Sequence, residues 1–208
     1  MFITFEGIEG CGKSSVLGAV QQALSNANRQ TVSTREPGGT PLGERIRDLL
    51  LNGSLLIEPL AEALLANASR AELVATVIRP ALAEHAIVLC DRYADSTVAY
   101  QGYGRGLDPE MLLEMCKAAT GGLMPDLTFL LDLPVAVSLE RVQARARSSG
   151  SPTDRMERED SAFHERVRSG YLQLAKRFPR FTVLDASAPP ETSLEAVMRE
   201  IAQRAECS

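Results

Sequence analysis

Five short apolar runs, rich in β-branched and aromatic residues, alternate along this 208-residue chain with longer segments of helical period. This alternation is typical of a parallel sheet with helices on both faces, because parallel strands need long crossover connections. The sequence therefore predicts an α/β fold built on a five-stranded parallel sheet. The predicted strands are FITFE (2–6), QTVST (30–34), AIVLCD (86–91), LTFLLD (127–132) and FTVLD (181–185).

The segments between the strands carry the helical pattern. With 45% hydrophobic residues, the chain fits a single domain spanning residues 1–208. One stretch, RSSGSPTD at 147–154, has the composition of an exposed, mobile loop. Helices are predicted at about 14–27, 40–51, 58–83, 108–119, 134–146, 155–176 and 191–204.

Charge and composition exclude several classes of protein. A net charge of −5 argues against nucleic-acid binding, which needs a basic face. The four cysteines match no zinc or redox spacing, and two histidines are too few for a transition-metal cluster. Acidic residues near the start, and the absence of an apolar run of about 18 residues, argue against a secretory signal or membrane span. We therefore expect a cytoplasmic protein that contacts neither membrane nor nucleic acid.

The first predicted strand runs into a glycine-rich loop, GIEGCGKS, that fits the pattern G-x-x-x-x-G-K-[ST]. Small residues let backbone N–H groups converge on a polyphosphate, and the next helix adds its positive end. Lys13 would reach the β- and γ-phosphates, and the Ser14 hydroxyl would ligate Mg²⁺. The expected ATP-binding residues are Gly7, Ile8, Glu9, Gly10, Cys11, Gly12, Lys13, Ser14 and Ser15. A switch GTPase is disfavoured because no Asn-Lys-x-Asp stretch is present, but motor ATPases and small-molecule kinases stay open.

Arginines at the ligand edge of the predicted sheet indicate an acceptor that is itself a phosphate. Such an acceptor needs no general base, but cations must offset the repulsion between two anions. Arg35 and Arg92 directly follow strands, and Asp91 is placed to hold Mg²⁺ or to cap the residues after it. Arg141 and Arg145 share a helix face, which predicts a lid over about 141–156. For Arg147 and Arg155 a solvated surface position is an equally open alternative.

Several motifs together resemble the thymidylate kinase family, whose members pass the γ-phosphate of ATP to thymidine monophosphate (dTMP). The similarity runs from the first strand to at least residue 176. It implies a P-loop NTPase fold with a mobile lid, Mg²⁺, ATP as donor, dTDP as product and a homodimer. The motifs are FEGIEGCGKSS, TREPGGT, SRAELV, DRYADSTVAYQGYGRG, PDLTFLLD and DRMEREDSAF.

The resemblance also implies roles for particular residues. Glu9 would accept a hydrogen bond from the deoxyribose 3′-hydroxyl, and Tyr100 would lie against C2′ of the sugar. Catalysis would depend on Lys13, Asp91, Arg92, Arg145 and Arg141, with Ser14 and Asp91 as metal ligands. The implied dTMP-binding residues are Glu9, Arg35, Pro37, Arg47, Ala66, Arg70, Arg92, Ser96, Thr97, Tyr100 and Gln101. Among these, Arg47 and Arg92 would clamp the phosphate, and Arg70 with Gln101 would address the base.

Two positions qualify the resemblance. Gly10 stands where some members carry a loop arginine, which implies the bacterial type, in which the lid supplies that charge. Arg145 is then the first choice, Arg141 the second and Arg147 the third. Ala66 stands where the family usually has a phenylalanine that stacks on thymine, so the pocket loses an aromatic plane.

Two other functions fit part of the pattern. A kinase for another nucleoside monophosphate would share the glycine loop and the lid. A regulatory module that binds ATP without transfer would share the loop alone, since it has no use for Arg47, Arg70, Arg92 and Tyr100 together.

Overall fold

The computed structural model describes residues 1–52, 55–150 and 153–206. Its sheet has five strands, all parallel, in the order β2-β3-β1-β4-β5, which confirms the predicted fold class. The strand bounds differ from the predicted ones by no more than one residue. The strands are β1 (Phe2–Glu6), β2 (Thr31–Arg35), β3 (Ile87–Asp91), β4 (Leu127–Asp132) and β5 (Phe181–Asp185).

Helices connect the strands. Three of them continue into π-helical segments, at Asp48–Asn52, Val74–Ile78 and Val98–Gly104. The helix predicted over 58–83 is therefore α3, a π-helical turn and α4 in succession, with Pro80 in α4, where it leaves a carbonyl without its usual donor. The helices are α1 (Lys13–Asn26), α2 (Pro41–Arg47), α3 (Pro59–Leu73), α4 (Arg79–Ala83), α5 (Ala94–Thr97), α6 (Pro109–Thr120), α7 (Val135–Ser149), α8 (Ser161–Arg177) and α9 (Pro190–Glu206).

Both faces of the sheet are covered, so every residue of β1 is buried. Ile3 and Phe5 point to one face and pack with residues of α1 and α9. Phe2 points to the other face and packs with residues of α3, α4 and α6. This double layer leaves the carboxyl ends of β1, β2 and β3 at one edge, which is where open parallel sheets bind ligands.

The helical segment from 94 to 104 is absent from the predicted helices, although Asp91 was considered as a cap for the residues after it; among the described residues no side chain caps this segment at its start. Its sequence, ADSTVAYQGYG, contains two glycines and several residues with weak helix propensity. Close packing between this segment and α8 compensates for the weak propensity. The two are so close that a Cβ on Gly104 would lie 2.7 Å from the Phe163 ring, and a Cβ on Gly170 would lie 2.6 Å from the Tyr103 ring. Tertiary contact therefore decides the local structure here.

The lid region also differs from the predicted bounds. Helix α7 continues to Ser149 rather than ending at 146, because Gly150, at φ 66°, is the residue that terminates it. Helix α8 begins at Ser161 rather than 155, because the Asp160 carboxylate accepts from the Phe163 N–H at 2.7 Å and caps the helix. Residues 151–152 of the predicted loop lie outside the described residues.

A buried carboxylate ties the sheet to the site. Glu6, at the end of β1, accepts hydrogen bonds from the backbone N–H of Tyr93 (2.8 Å), Ser96 Oγ (2.6 Å) and the Tyr171 hydroxyl (2.9 Å). Burial, reinforced by the negative charge of Asp95, raises the pKa of Glu6 from 4.5 to about 7.

We expect this carboxyl group to make stability fall as pH rises. Between pH 4.5 and about 7 the folded protein binds a proton that the unfolded chain has lost, so the contribution is complete below pH 4.5 and disappears above about 7. It amounts to at most about 3 kcal/mol. Urea unfolding of the Glu6→Gln variant should show a flatter pH dependence than the parent between pH 5 and 8. The exposed Glu191→Gln control should keep the parent slope, and an unchanged slope in Glu6→Gln would contradict the expectation.

Two glycine substitutions should act in opposite directions. Gly170→Ala in α8 should lower the free energy of unfolding by about 1–3 kcal/mol, because its Cβ would collide with the near end of the Tyr103 side chain. Gly18→Ala in α1, where a Cβ meets nothing within 4 Å, should raise it by up to about 1 kcal/mol. Denaturant unfolding of both variants measures the difference, and equal effects would exclude close packing at Gly170.

Candidate active site

One cleft of about 620 Å³ lies at the carboxyl edge of β1, β2 and β3. It brings together most of the predicted site residues, although they come from the glycine loop, the ends of β2 and β3 with the turns that follow them, helices α1 to α3, the segment 94–104 and the lid. The predicted residues that line it are Glu9, Gly10, Gly12, Lys13, Ser14, Ser15, Arg35, Pro37, Arg47, Ala66, Arg70, Asp91, Arg92, Ser96, Thr97, Tyr100, Gln101, Arg141 and Arg145. Both predicted halves of the site thus share a single opening.

The glycine loop is shaped by close approach to the sheet. Gly7 has φ 138°, and a Cβ there would lie 2.5 Å from the backbone oxygen of Leu131, so only glycine fits. Ile8 and Cys11 are buried and do not line the cleft, so only their backbone is available to a ligand. Lys13 folds back over the loop and donates to the carbonyl oxygens of Gly7 (3.1 Å) and Ile8 (2.9 Å).

Ser14 and Asp91, the two residues predicted to bind metal, are in contact in the folded chain. Ser14 Oγ donates to Asp91 Oδ2 at 2.7 Å, on the exposed side of the loop. A hydroxyl and a carboxylate are oxygen ligands of the kind that Mg²⁺ prefers, and the pair therefore fits that ion. Among the described residues no cluster of three or more His, Cys, Asp or Glu side chains could hold a metal alone. An ion at this pair would complete its shell with water and phosphate oxygens.

Arg92 adopts a backbone conformation that L-residues rarely occupy, at φ 71°. Its N–H donates to the Phe5 carbonyl oxygen at 3.0 Å, and its carbonyl oxygen accepts from Cys90 Sγ at 3.0 Å, so the turn is fixed from both sides. The guanidinium donates to Glu9 Oε1 (3.0 Å) and to the Tyr171 hydroxyl (3.1 Å). Strain held by surrounding contacts is characteristic of functional positions.

Glu9 lies between the glycine loop and this turn. Its Oε1 accepts from Arg92 and, at 2.5 Å, from the Tyr100 hydroxyl. Burial raises the pKa of Glu9, but the charges of Arg92 and Lys13, together with the hydrogen bond from Tyr100, bring the net shift downward. The side chain is therefore a carboxylate, able only to accept hydrogen bonds.

Arg70 is fixed more firmly than the resemblance implied. Its Nε donates to Glu36 (2.8 Å), Nη1 to Asn67 (2.9 Å), and Nη2 to the carbonyl oxygen of Tyr93 and to Thr97 (both 3.0 Å). The predicted contact of Arg70 with a base would therefore share N–H groups that already have partners.

Burial shifts the pKa values of Arg70 and of its partner Glu36 in opposite directions. Burial lowers the pKa of Arg70, but the charge of Glu36, its hydrogen bond with Arg70 and the neighbouring Cys116 and Tyr93 together raise that pKa overall. Burial raises the pKa of Glu36 to about 7, although the Arg70 guanidinium pulls that value down.

Sequence reasoning missed Glu62, a buried carboxylate in the wall of the cleft. It accepts from Gln101 Nε2 and from Arg155 Nη2, both at 2.5 Å. The spacing of Glu62, Ala66 and Arg70 places them on one helix face and could have revealed it. Because Arg155 also donates to the Leu50 carbonyl oxygen at 2.8 Å, the solvated alternative for Arg155 is wrong.

Two of the three arginines on α7 that the sequence analysis singled out line the cleft, namely Arg141 and Arg145. Arg141 donates to the carbonyl oxygen of Ala186 at 3.2 Å, and Arg145 forms an ion pair with Glu157 across the lid. Arg147 is exposed and is absent from the described lining. Arg141 and Arg145 both line the cleft, so their order of preference in catalysis stays a prediction.

Position 66 presents only the methyl group of alanine to the cleft. Beside Ala66, the apolar residues lining the cleft include Leu50, Leu51 and Met156, and the aromatic ones are Tyr93 and Tyr100. Helix α3 itself therefore offers no ring to the cleft at the position where the family usually has phenylalanine.

Comparison with known proteins places the chain in a family. In the described residues no helix is long and apolar enough to cross a bilayer. The family model described as thymidylate kinase matches residues 5–201. The thymidylate kinase of Nitratidesulfovibrio vulgaris is 53% identical over 205 residues, which cover 97% of this chain and 95% of that protein. The thymidylate kinase of Deinococcus radiodurans is 52% identical over 197 residues, which cover 94% and 93%.

A solved structure agrees with these relatives. The crystal structure of thymidylate kinase from Ehrlichia chaffeensis superposes with a TM-score of 0.77 at 34% identity and covers 97% of this chain and 98% of that chain. Since sequence model, relatives and fold all agree over nearly the whole length, the chain belongs to the thymidylate kinase family.

Proposed function

We propose that the protein transfers the γ-phosphate of ATP to dTMP and releases dTDP and ADP. The observation that carries this proposal is the position of Arg92, whose guanidinium lies in the same cleft as the glycine loop and contacts Glu9 of that loop. A donor bound on the loop and an acceptor phosphate at Arg92 would meet within one cavity. Family membership supplies the choice of dTMP as acceptor.

The donor half would bind ATP through backbone N–H groups of residues 7–15 and through Lys13. Lys13 must exchange the loop carbonyl oxygens for phosphate oxygens, which hold a cation more strongly because they are charged. Ser14 and Asp91 would hold Mg²⁺, whose charge offsets that of the phosphates when it is bound. Arg145 and Arg141 would approach the transferring group from the lid.

The acceptor half would orient the nucleophile. An oxygen of the dTMP phosphate attacks the γ-phosphorus as the bond from that phosphorus to the β–γ bridging oxygen breaks, and no base is required. Arg92 and Arg47 would hold the acceptor phosphate. Arg47 donates to the Pro37 carbonyl oxygen at 2.9 Å, which keeps its guanidinium at the edge of the cleft. Burial and the neighbouring charge of Arg35 lower the pKa of Arg47, and a bound phosphate would relieve that repulsion.

Contacts around the sugar and base favour a deoxynucleotide. Tyr100 donates to Glu9 and lies under Arg92, with its ring 5.0 Å from the guanidinium carbon, so its position is fixed. In the proposed pose this ring leaves little room at C2′, and Glu9 accepts from the 3′-hydroxyl. Arg70 and Gln101 would address the base from the far end of the cleft.

ADP release in a coupled assay separates this function from its rivals. Release that requires dTMP, and exceeds that with the other deoxynucleoside monophosphates or UMP, would support the proposal. Preference for another monophosphate would indicate the alternative kinase, and ATP binding without acceptor-dependent release would indicate a regulatory module.

Three further expectations belong to the same proposal. Mg²⁺ dependence follows from the Ser14–Asp91 pair. A homodimer is favoured by exposed leucines one turn apart on α3, Leu60 and Leu64, at 45% and 53% exposure. A cytoplasmic location, without nucleic-acid or membrane partners, stays a prediction from composition.

Loss of the guanidinium at position 92 should abolish most turnover. Arg92→Ala should lower kcat/KM for dTMP by about 10³-fold or more, because the acceptor phosphate would lose its main cation. Steady-state kinetics measures the effect, and thermal unfolding verifies the fold. Arg199→Ala, which removes an exposed arginine of α9, should leave kcat/KM within twofold of the parent; near-normal turnover of Arg92→Ala would remove this residue from the mechanism.

Restoring the family's aromatic residue should tighten dTMP binding. Ala66→Phe should lower KM for dTMP about 5- to 100-fold, because base–aromatic stacking contributes about 1–3 kcal/mol. The KM for ATP should stay unchanged. Ala202→Phe, which makes the same change at an exposed position of α9, should leave both constants unchanged. An unaltered KM for dTMP in Ala66→Phe would exclude stacking as the missing contribution.

A further inference from the structure

His164, on α8, is a fully buried imidazole that the proposed mechanism has not used. Its side chain is 0% exposed, and its ring packs edge-on against Phe163 with centroids 5.6 Å apart. Among the described residues neither ring nitrogen has a hydrogen-bond partner. Burying such a group without a partner is costly, and an apolar side chain would fill the same volume without that cost.

This imidazole lies close to the carboxylate that the mechanism assigns to the sugar. His164 Nδ1 lies 3.5 Å from Glu9 Oε2, and that oxygen is also buried without a hydrogen-bond partner. The two unpartnered groups therefore face each other, and a small movement of either side chain would complete a hydrogen bond.

The other carboxylate oxygen of Glu9, Oε1, accepts the hydrogen bonds that the described residues donate to this side chain. Oε1 accepts from both Arg92 and Tyr100. If the Arg92 guanidinium turns to an acceptor phosphate, Glu9 loses its cationic partner. This loss would occur when the nucleotide is bound, which is when Glu9 should accept the hydrogen bond from the sugar. Oε2 and His164 lie on the side of the carboxylate that this exchange does not disturb.

We propose that His164 is a positioning residue that donates Nδ1–H to Glu9 Oε2 and keeps the carboxylate oriented toward the deoxyribose when Arg92 moves to the acceptor phosphate. The inference rests on the proposed function for the roles of Glu9 and Arg92. His164 is absent from the described lining of the cleft, so it acts through Glu9 and not on the substrate. Its loss should therefore affect dTMP and leave ATP unaffected.

Nitrogen NMR tests the contact without any activity measurement. The chain has two histidines, and His85 is exposed beyond α4, so it serves as an internal reference. In untagged protein labelled with ¹⁵N-histidine, Glu9→Gln should change the imidazole shifts of His164, Nδ1 most strongly, and leave those of His85 in place. Unchanged His164 shifts would overturn the proposal, whatever the enzyme's substrate.

Kinetics of three variants tests the role. His164→Phe should raise KM for dTMP about 10-fold or more and keep KM for ATP within twofold, since a hydrogen bond to a charged group is lost. His164→Asn places an amide N–H near the position of Nδ1 and should restore most of the loss. His164→Gln reaches the Nε2 position instead and should not restore it.

The outcomes separate this inference from the proposed function. If the parent protein shows no turnover with dTMP but Glu9→Gln changes the ¹⁵N shifts of His164, the proposed function is refuted and the contact between His164 and Glu9 is supported. Equal increases in both KM values, or equal rescue by Asn and Gln, would show that His164 only fills space and would overturn the inference. Should His164→Phe fail to fold, the comparison of Asn with Gln and the NMR result decide.

Discussion

The ion pair between Arg92 and Glu9 joins the two halves of the cleft. Arg92 follows β3 and Glu9 follows β1, and these strands are neighbours in the sheet, with Phe5 in register with Asp91. The pair can form because parallel strands deliver both loops to the same edge. It also needs the left-handed backbone of Arg92, which the Phe5 carbonyl oxygen and Cys90 hold in place. Without this turn the acceptor cation would not reach the donor loop.

The strands and the glycine loop could be predicted because they depend on local sequence. Strands buried on both faces appear as continuous apolar runs, and the loop between β1 and α1 has a spacing set by phosphate geometry. The segment 94–104 could not be predicted, since its helix depends on contact between Gly104 and Phe163 rather than on propensity. The bounds of α7 and α8 were misjudged because single residues, Gly150 and Asp160, decide them.

The candidate site likewise has features that could be predicted from the sequence and features that could not. Position after a strand located Arg35 and Arg92, and the family resemblance located Arg47 and Arg70, which lie within helices. The pairings of the carboxylates were not found: Glu62 with Arg155, and Glu9 with Arg92 and His164, are separated by more than 80 residues and meet only in the folded chain. In this acidic protein some of the cations in the cleft lie beside carboxylates, as Arg92 lies beside Glu9, so a phosphate that binds such a cation must displace an acid.

The arginines differ in how readily such a displacement can occur. Arg70 is 2% exposed, paired with an equally buried glutamate, and its donors are engaged; moving it would leave a buried charge unpaired, so it suits a rigid wall that distinguishes bases. Arg92 is 16% exposed and shares a carboxylate with Tyr100, so a phosphate can replace that partner with little rearrangement. Arg145 is 57% exposed, and its ion pair with Glu157 is screened by water, so it can be broken at small cost. The exposure of the arginines thus increases from Arg70 at the base pocket through Arg92 to Arg145 on the lid. The ease with which each guanidinium can leave its partner increases in the same order.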